Sequence, residues 1–372
     1  MLSTKWFKLL LLALLGMIGT RTGRAAYTMT DLGTLGGTNT NGAGINNAGQ
    51  IVGNSQDATG AYFGFVYSNG QMSSLGNFGT FTAGARNINN LGQVAGKLSN
   101  GHLFIWSNGQ YTDLGIPLGG TVVKGYGFND SGQITGQVTL TSGQIHGFLL
   151  SPSNGGTSID IGTMGGHSTD FSYGSSVNAF GQIEGDSINA NGLDHAFIWT
   201  NGTFVDLGTF GGPASSGIAI NNLGHATGTA QTPASTSSDL VSHVFFYDGM
   251  TMHDLGTLGG DYANAGGMNN LDQIVGYSYM SDNVTTHAFF AANGVMTDLN
   301  TLIPSGSGWT LTNATGINDQ GDIVANGVNS SGVENTFLLT PGAVPEPTTL
   351  SILAPSLLLL VRRNSRRRRR RT

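Results

Sequence analysis

The chain has 372 residues and no cysteine, which excludes a disulfide framework and any thiolate metal site. Its 60 glycines follow no G-X-Y period, and with 38% apolar residues this composition points to a folded chain of short strands and many tight turns. All acids but Glu346 lie within 26–343, against Arg86, Lys97 and Lys124 as the only basic residues there, so this span carries about −17 and is unsuited to nucleic acid.

At the N-terminus, Lys5 and Lys8 precede an apolar run from Leu9 to Ile18, and Gly23 and Ala25 supply small residues at the −3 and −1 positions of a cleavage site. This is the layout of a secretory signal peptide over 1–25, and the run is too short to span a bilayer. The chain is therefore expected to be exported, with a mature start near Ala26.

From 26 to 343 one phrase recurs. "GINNAGQIVG" at 44–53 returns as "NINNLGQVAG", "GFNDSGQITG", "AINNLGHATG" and "GMNNLDQIVG". Its asparagine falls at Asn46, Asn89, Asn129, Asn178, Asn221, Asn269 and Asn318, a period that belongs to the propeller and HEAT-like classes. No long amphipathic stretch supports helices. Each unit instead holds four β-like runs: one ending in the asparagine, a second such as "QIVGNS", a third such as "HAFIW", and a fourth such as "FVDLG". The turn after the asparagine ends in glycine in every unit except one, where Asp272 stands, as a hairpin needing positive φ requires. The third run always carries a central phenylalanine and is apolar at odd and even positions, so both of its faces should be covered.

The fourth run fixes the expected architecture. "TDLG" at 30–33 precedes the first unit, while the seventh unit ends "TFLLTPG" with no fourth run after it. Seven units share seven fourth strands only if 27–33 return to pair with Phe337–Thr340. The spacing predicts an all-β, seven-bladed β-propeller closed by its N-terminal strand.

The C-terminus reads "VPEPTTLSILAPSLLLLVRRNSRRRRRRT". Pro345, Glu346 and Pro347 form a stiff extended segment, followed by an apolar stretch from Leu350 to Val361 and an arginine run. As a short hydrophobic helix the stretch would cover roughly 18 Å of a roughly 30 Å hydrocarbon core. This tail, 344–372, resembles the PEP-CTERM sorting signal. The resemblance implies recognition of Pro345, Glu346 and Pro347 by an exosortase-type protease, and a membrane contact at both termini that is transient. The central repeats resemble the HAF-repeat family of extracellular bacterial proteins through "HAF" at 195–197 and 287–289 and "DLGTLGG" at 31–37 and 254–260. That resemblance implies export to the cell envelope or beyond it.

Chemistry is sparse. The recurrent His102, His146, His195, His243 and His287 stand one per blade, too far apart to share a metal, and read as packing or pairing within blades. Asp31, Asp113, Asp160, Asp206, Asp254 and Asp298 read as strand-end residues bonding local backbone. Asp186 and Asp194 flank one variable loop, and Asp57, Asp239 and Asp282 sit in others; they are solvated loop acids or ligands for Ca²⁺ or sugar hydroxyls, and the metal assignment stays open. "GTLGG" lacks the lysine and helix of a phosphate loop, and no nucleophile motif occurs, so no catalytic set or cofactor site is nominated. Function is expected on the face carrying the variable second-to-third loops. The reading is an exported, non-catalytic binding or matrix module whose partner is an extracellular polysaccharide or surface protein. The alternative is a propeller enzyme, a lyase or glycosidase, acting on extracellular polysaccharide.

Overall fold

The repeated asparagine phrase makes the same turn each time it occurs. In the computed structural model, which describes residues 26–76, 87–236 and 240–342, the Asn46 amide donates to the Gln50 carbonyl and the Gly49 amide to the Asn46 carbonyl, each at 3.0 Å. Gly49 has φ of 72°, the left-handed conformation that the sequence requires of it, and Asp272 is held there at 58° without glycine's freedom. The third-to-fourth connections are tighter. Asn201 and Gly202, for example, both take positive φ, the type I′ geometry that matches strand twist.

Between these turns the chain pairs in antiparallel sets of four. Repeat four shows the pattern: Ser172–Val177 is innermost, followed outward by Ile183–Ile188, Asp194–Thr200 and Thr203–Gly208. The sets of repeats five and six meet through a parallel bridge between Ser242 and Tyr262, making one eight-stranded sheet. In the last set, Trp309–Ile317, Ile323–Asn329 and Glu334–Pro341 are followed outward by Tyr27–Asp31. There the Leu32 amide donates to the Thr336 carbonyl at 3.0 Å. Helix among the described residues is confined to three short 3-10 turns, Pro117–Gly119, Pro152–Asn154 and Leu299–Thr301. The fold is all-β and propeller-like. No helix among the described residues is long and apolar enough to cross a membrane. The signal peptide, the Pro345–Glu346–Pro347 motif and the C-terminal hydrophobic helix expected from the sequence lie outside the described residues.

The core explains the doubly apolar third run. Phe65, Phe104, Phe148, Phe197, Phe245, Phe289 and Phe337 are all fully buried, one per repeat. Phe197 packs with Ile183, Val177 and Trp199 of its own repeat and with Leu149 and Ile161 of the one before, so each third strand is covered by a neighbouring sheet. Burying such a side chain contributes about 1.5–3 kcal/mol. The glycine of the second strand makes room for it. At Gly276 a Cβ would collide with the Asn264 carbonyl and the Phe289 ring.

The asparagines are where the repeats meet. Each is buried, and each side chain makes four hydrogen bonds. The Asn46 Oδ1 accepts the Ala48 and Gln50 amides at 3.0 and 2.9 Å, fixing its own turn. Its Nδ2 donates to the Gln50 Oε1 at 2.8 Å and to the Asn89 main-chain carbonyl of the next repeat at 2.9 Å. That last bond recurs from Asn89 to Asn129, then Asn178, Asn221, Asn269 and Asn318, and finally from Asn318 back to Asn46, at 2.8–3.2 Å throughout. Only a carboxamide supplies the acceptor and both donors; aspartate at this position would have no N–H to give.

Two repeats lack the glutamine. In repeat seven Asp322 stands there and accepts from Asn318 Nδ2 at 3.1 Å, whereas repeat five needs a compensating change. In repeat five His225 replaces the glutamine, so Asn221 Nδ2 donates instead to Asp272 Oδ1 of the next turn at 2.8 Å. His225 Nδ1 lies 2.9 Å from the same oxygen. Asp272 thus explains itself: its strained φ is offset by two partners that glycine could not serve. Asp272→Gly should lower the melting temperature, at a cost of about 1–2 kcal/mol, because it removes an acceptor from the buried Asn221 amide and from half-buried His225. Adding His225→Gln should recover most of that loss by restoring the arrangement of the other repeats. Thermal melts of the single and double variants check this; a stabilised single variant would show that backbone strain outweighs the bonds.

Candidate functional site

The inner strands of all seven repeats line one central cavity of about 1060 Å³. Beside the asparagine ring the space is smaller, about 220 Å³, and is walled by asparagine and aspartate together with apolar residues such as Ile45, Phe128 and Met268. The larger cavity has a mixed wall in which Asn41, Asn54 and Gln137 offer amides, Tyr126 and Tyr173 offer aromatic rings with hydroxyls, and Lys124 offers an ammonium. Successive strand residues alternate between sheet faces, and the close glycines keep the strand walls low, so these side chains have space in front of them.

Repeat four breaks the symmetry. Asp186 lines the channel opposite Tyr173 in the strand register, and Ser216 of repeat five donates to its Oδ1 at 2.9 Å. Asp194 begins the third strand, toward the variable-loop end, and one of its oxygens has no hydrogen-bond partner. The two carboxyls were expected to flank a variable loop, as they do, but not to leave solvent: Asp186 is buried and Asp194 half-buried, because the second strand continues to Ile188 and leaves only a short turn between them. Behind them Glu184 is fully buried; no side chain bonds its carboxyl, and only the Ile218 backbone amide counters its burial. Burial pushes Glu184 well above the usual carboxylate range, and Asp186 adds repulsion. Burial likewise raises Asp186 to about 7, helped by Asp194, and Asp194 to about 6. The Tyr173 hydroxyl is also raised, by burial and then by the Asp186 charge.

Glu184 was legible had the repeats been aligned residue by residue. Its position holds Val52, Ala95, Thr135, Thr227, Val275 and Val324 in the other units. A carboxyl among those is an outlier. Its fit also depends on a neighbour, since a Cβ on Gly217 of the next repeat would run into it.

The remaining candidates serve structure. Asp57 accepts bonds from the Thr59 hydroxyl and the Thr59 and Ala61 amides, and the Thr59 hydroxyl leads in holding its carboxyl below the usual value. Asp282 is held in the same way by Thr285 and Val284 and lowered to about 2. Asp239 lies outside the described residues. The two periodic sets, histidine and aspartate, meet each other: His102 with Asp113, His146 with Asp160, His195 with Asp206, His243 with Asp254 and His287 with Asp298, at 2.7–2.9 Å. The aspartates also accept a backbone amide two residues on, as Asp206 does from Gly208 at 2.8 Å. Asp31 has Asn335 as the corresponding partner, at 3.0 Å. No cluster of three or more metal-ligating side chains occurs among the described residues.

No family model matches the chain, and no curated protein matches it. Solved structures with similar backbones include TolB from Acinetobacter baumannii, at 11% identity and TM-score 0.45, covering 78% of this chain; the chain spans 63% of the length of that TolB. The Dos1 propeller gives 10% identity and TM-score 0.47, covering 86% of this chain and 96% of its own. A mutant Aleuria aurantia lectin in complex with Fucalpha1-6GlcNAc gives 11% identity and TM-score 0.35, covering 83% of this chain and 97% of its own.

The raised carboxyls fix a pH dependence. A carboxyl whose folded value lies above the unfolded one binds its proton more tightly when folded, so its stabilisation is full below about pH 4 and is lost as pH rises through the folded value. For Asp186 that window runs from the ordinary 3.8 to about 7. The melting temperature should therefore fall between pH 5 and pH 8, and Asp186→Asn should flatten the fall. Melts of both proteins across this range read the difference directly, and parallel curves would refute the assignment.

Proposed function

We propose that this chain is an exported, non-catalytic binding module, built as a seven-bladed propeller with Tyr27–Asp31 as the outermost strand of its last blade. The pairing of that strand with Glu334–Pro341 supports the closure, as does the Asp31–Asn335 contact, which stands where the other repeats place aspartate and histidine. The ligand is a hydroxyl-rich extracellular polysaccharide or a surface protein presenting similar groups. One observation carries this reading: the channel wall offers amides, hydroxyls and tyrosine rings from a rigid scaffold, the donor, acceptor and stacking set that suits a saccharide. Export, the envelope location and processing of the tail rest on the terminal segments of the sequence.

The second reading, a lyase or glycosidase, draws support from the adjacent Asp186 and Asp194, because a carboxyl held protonated near neutral pH beside another is the arrangement acid–base chemistry uses. A glycan array separates the two. The binding reading predicts retention of a polysaccharide without cleavage, with affinity reduced at least about tenfold in Tyr126→Ala and in Tyr173→Ala. Depolymerisation that Asp186→Asn abolishes would instead establish the enzyme. Absence of binding to glycans and to envelope proteins alike would remove the binding reading.

A further inference from the structure

The turns that follow the ring asparagines present apolar side chains to solvent. Leu91, Phe180, Leu223 and Leu271 occupy one position in four repeats, two residues after the asparagine, and are 61–75% exposed. The third-to-fourth turns reach the same face, because Tyr247 pairs with Ala226 and Ala226 with Ile220, beside Asn221. There Met250 and, by the same register in repeat six, Val295 are also exposed. Side chains repeated at turn tips gain nothing for the fold. They also cost solubility, and an apolar surface of this kind marks an interaction site.

Both ends of the described chain leave from this face. Leu339 pairs with Ile323, which pairs with Ile317 beside Asn318, so the strand ending at Pro341 points out at the asparagine end. Thr28 lies next to it, its hydroxyl donating to the Thr340 carbonyl at 3.3 Å. The sequence beyond these two points carries the apolar runs Leu9–Ile18 and Leu350–Val361. The opposite face differs. Its exposed apolar residues, Tyr62, Val122, Leu193, Leu240 and Val284, lie at strand starts or in connections of unequal length, which is ordinary for a protein surface.

We propose that the asparagine face is a lipid-docking surface, laid on a bilayer with Leu91, Phe180, Leu223 and Leu271 entering the interface. Among the described residues neither lysine, Lys97 or Lys124, lies at these turns, whereas Asp130, Asp248 and Asp319 do. Attraction to anionic headgroups is therefore not the driving force, and the surface suits zwitterionic lipid held by apolar insertion. This orientation turns the variable-loop end of the channel, with Asp186 and Asp194, away from the membrane and toward a soluble partner. The docking does not depend on what the channel binds.

The absence of cysteine makes the test clean. Full-length Phe180→Cys, Leu271→Cys and Val284→Cys carry an environment-sensitive dye and are mixed with phosphatidylcholine vesicles containing brominated lipid. The expected result is quenching of the dyes at 180 and 271 and none at 284. Replacing Leu91, Phe180, Leu223 and Leu271 together by serine, in a full-length Met250→Cys chain labelled at the same face, should remove most of the quenching while leaving the thermal transition in place, because these side chains are exposed. Three outcomes overturn the proposal. One is vesicle binding without quenching at any site, which leaves only the terminal segments as anchors. Another is equal quenching at 284. The third is a spectral shift at 180 and 271 without quenching and with a doubled mass, which would place a second copy of the chain on this face.

Discussion

The hydrogen bond from an asparagine side chain to the main-chain carbonyl of the next asparagine is the interaction from which the architecture follows. Taken once, between Asn46 and Asn89, it joins two neighbouring hairpins. Repeated seven times with the last bond returning to Asn46, it leaves none of the seven ring asparagines unsatisfied, and it does so only when every repeat is in place. A buried amide without a partner costs about 1–3 kcal/mol, so loss of one repeat would expose a penalty at two others. The ring therefore couples every repeat to its neighbours, including the first to the last, which strand pairing does only in the set that holds Tyr27–Asp31.

Much else is consequence. Glycine recurs in the second strand because a Cβ there has no room: at Gly276 it would meet the Asn264 carbonyl of the paired inner strand and the Phe289 ring of the third. The fully buried phenylalanines fill the widening space farther out. Histidine and aspartate then tie the third strand to the fourth near its end, a contact that is partly exposed and so worth little in stability, but that positions the outer strand. Toward the axis the strands enclose a channel with a polar wall. The repeat itself builds a nearly symmetric vessel, and the features that distinguish one side of it are departures from the repeat: Lys124, Tyr173, Glu184 and Asp186.

The readable parts of the fold were those that the repeat states seven times. Turn glycines announce positive φ, the invariant phenylalanines announce a covered strand, and the displaced "TDLG" at 30–33 announces that the first strand has its partner at the far end of the chain. The purpose of the asparagine was less accessible. Its position was clear, but a turn asparagine alone looks like local backbone capping; its second role, toward the next repeat, appears only when neighbouring turns are placed side by side. The histidines and aspartates were each noticed as periodic sets, and their union depends on a strand register that spacing does not supply. Asp186 and Asp194 read as solvated acids beside a variable loop, whereas the second strand runs on to Ile188 and the third begins at Asp194, which takes both largely out of water. Glu184 was missed because apolar pattern counting ignores a single polar residue in a strand, although such a residue in a core is the more informative observation.

A cross-link across the seam between the first and last repeats tests the ring most directly. Asn47 Nδ2 donates to Asp319 Oδ2 at 2.8 Å, and Asp319's amide donates to Asn47 Oδ1 at 2.9 Å, although 272 residues separate them. In a chain without native cysteine, Asn47→Cys combined with Asp319→Cys should be joined by a short bifunctional maleimide in dilute monomer. The product would be a faster-migrating monomer, heavier only by one linker, and it should be lost when the protein is unfolded first. Cross-linking that occurs only between molecules, or only after unfolding, would contradict a closed ring and leave the seven repeats as an open array.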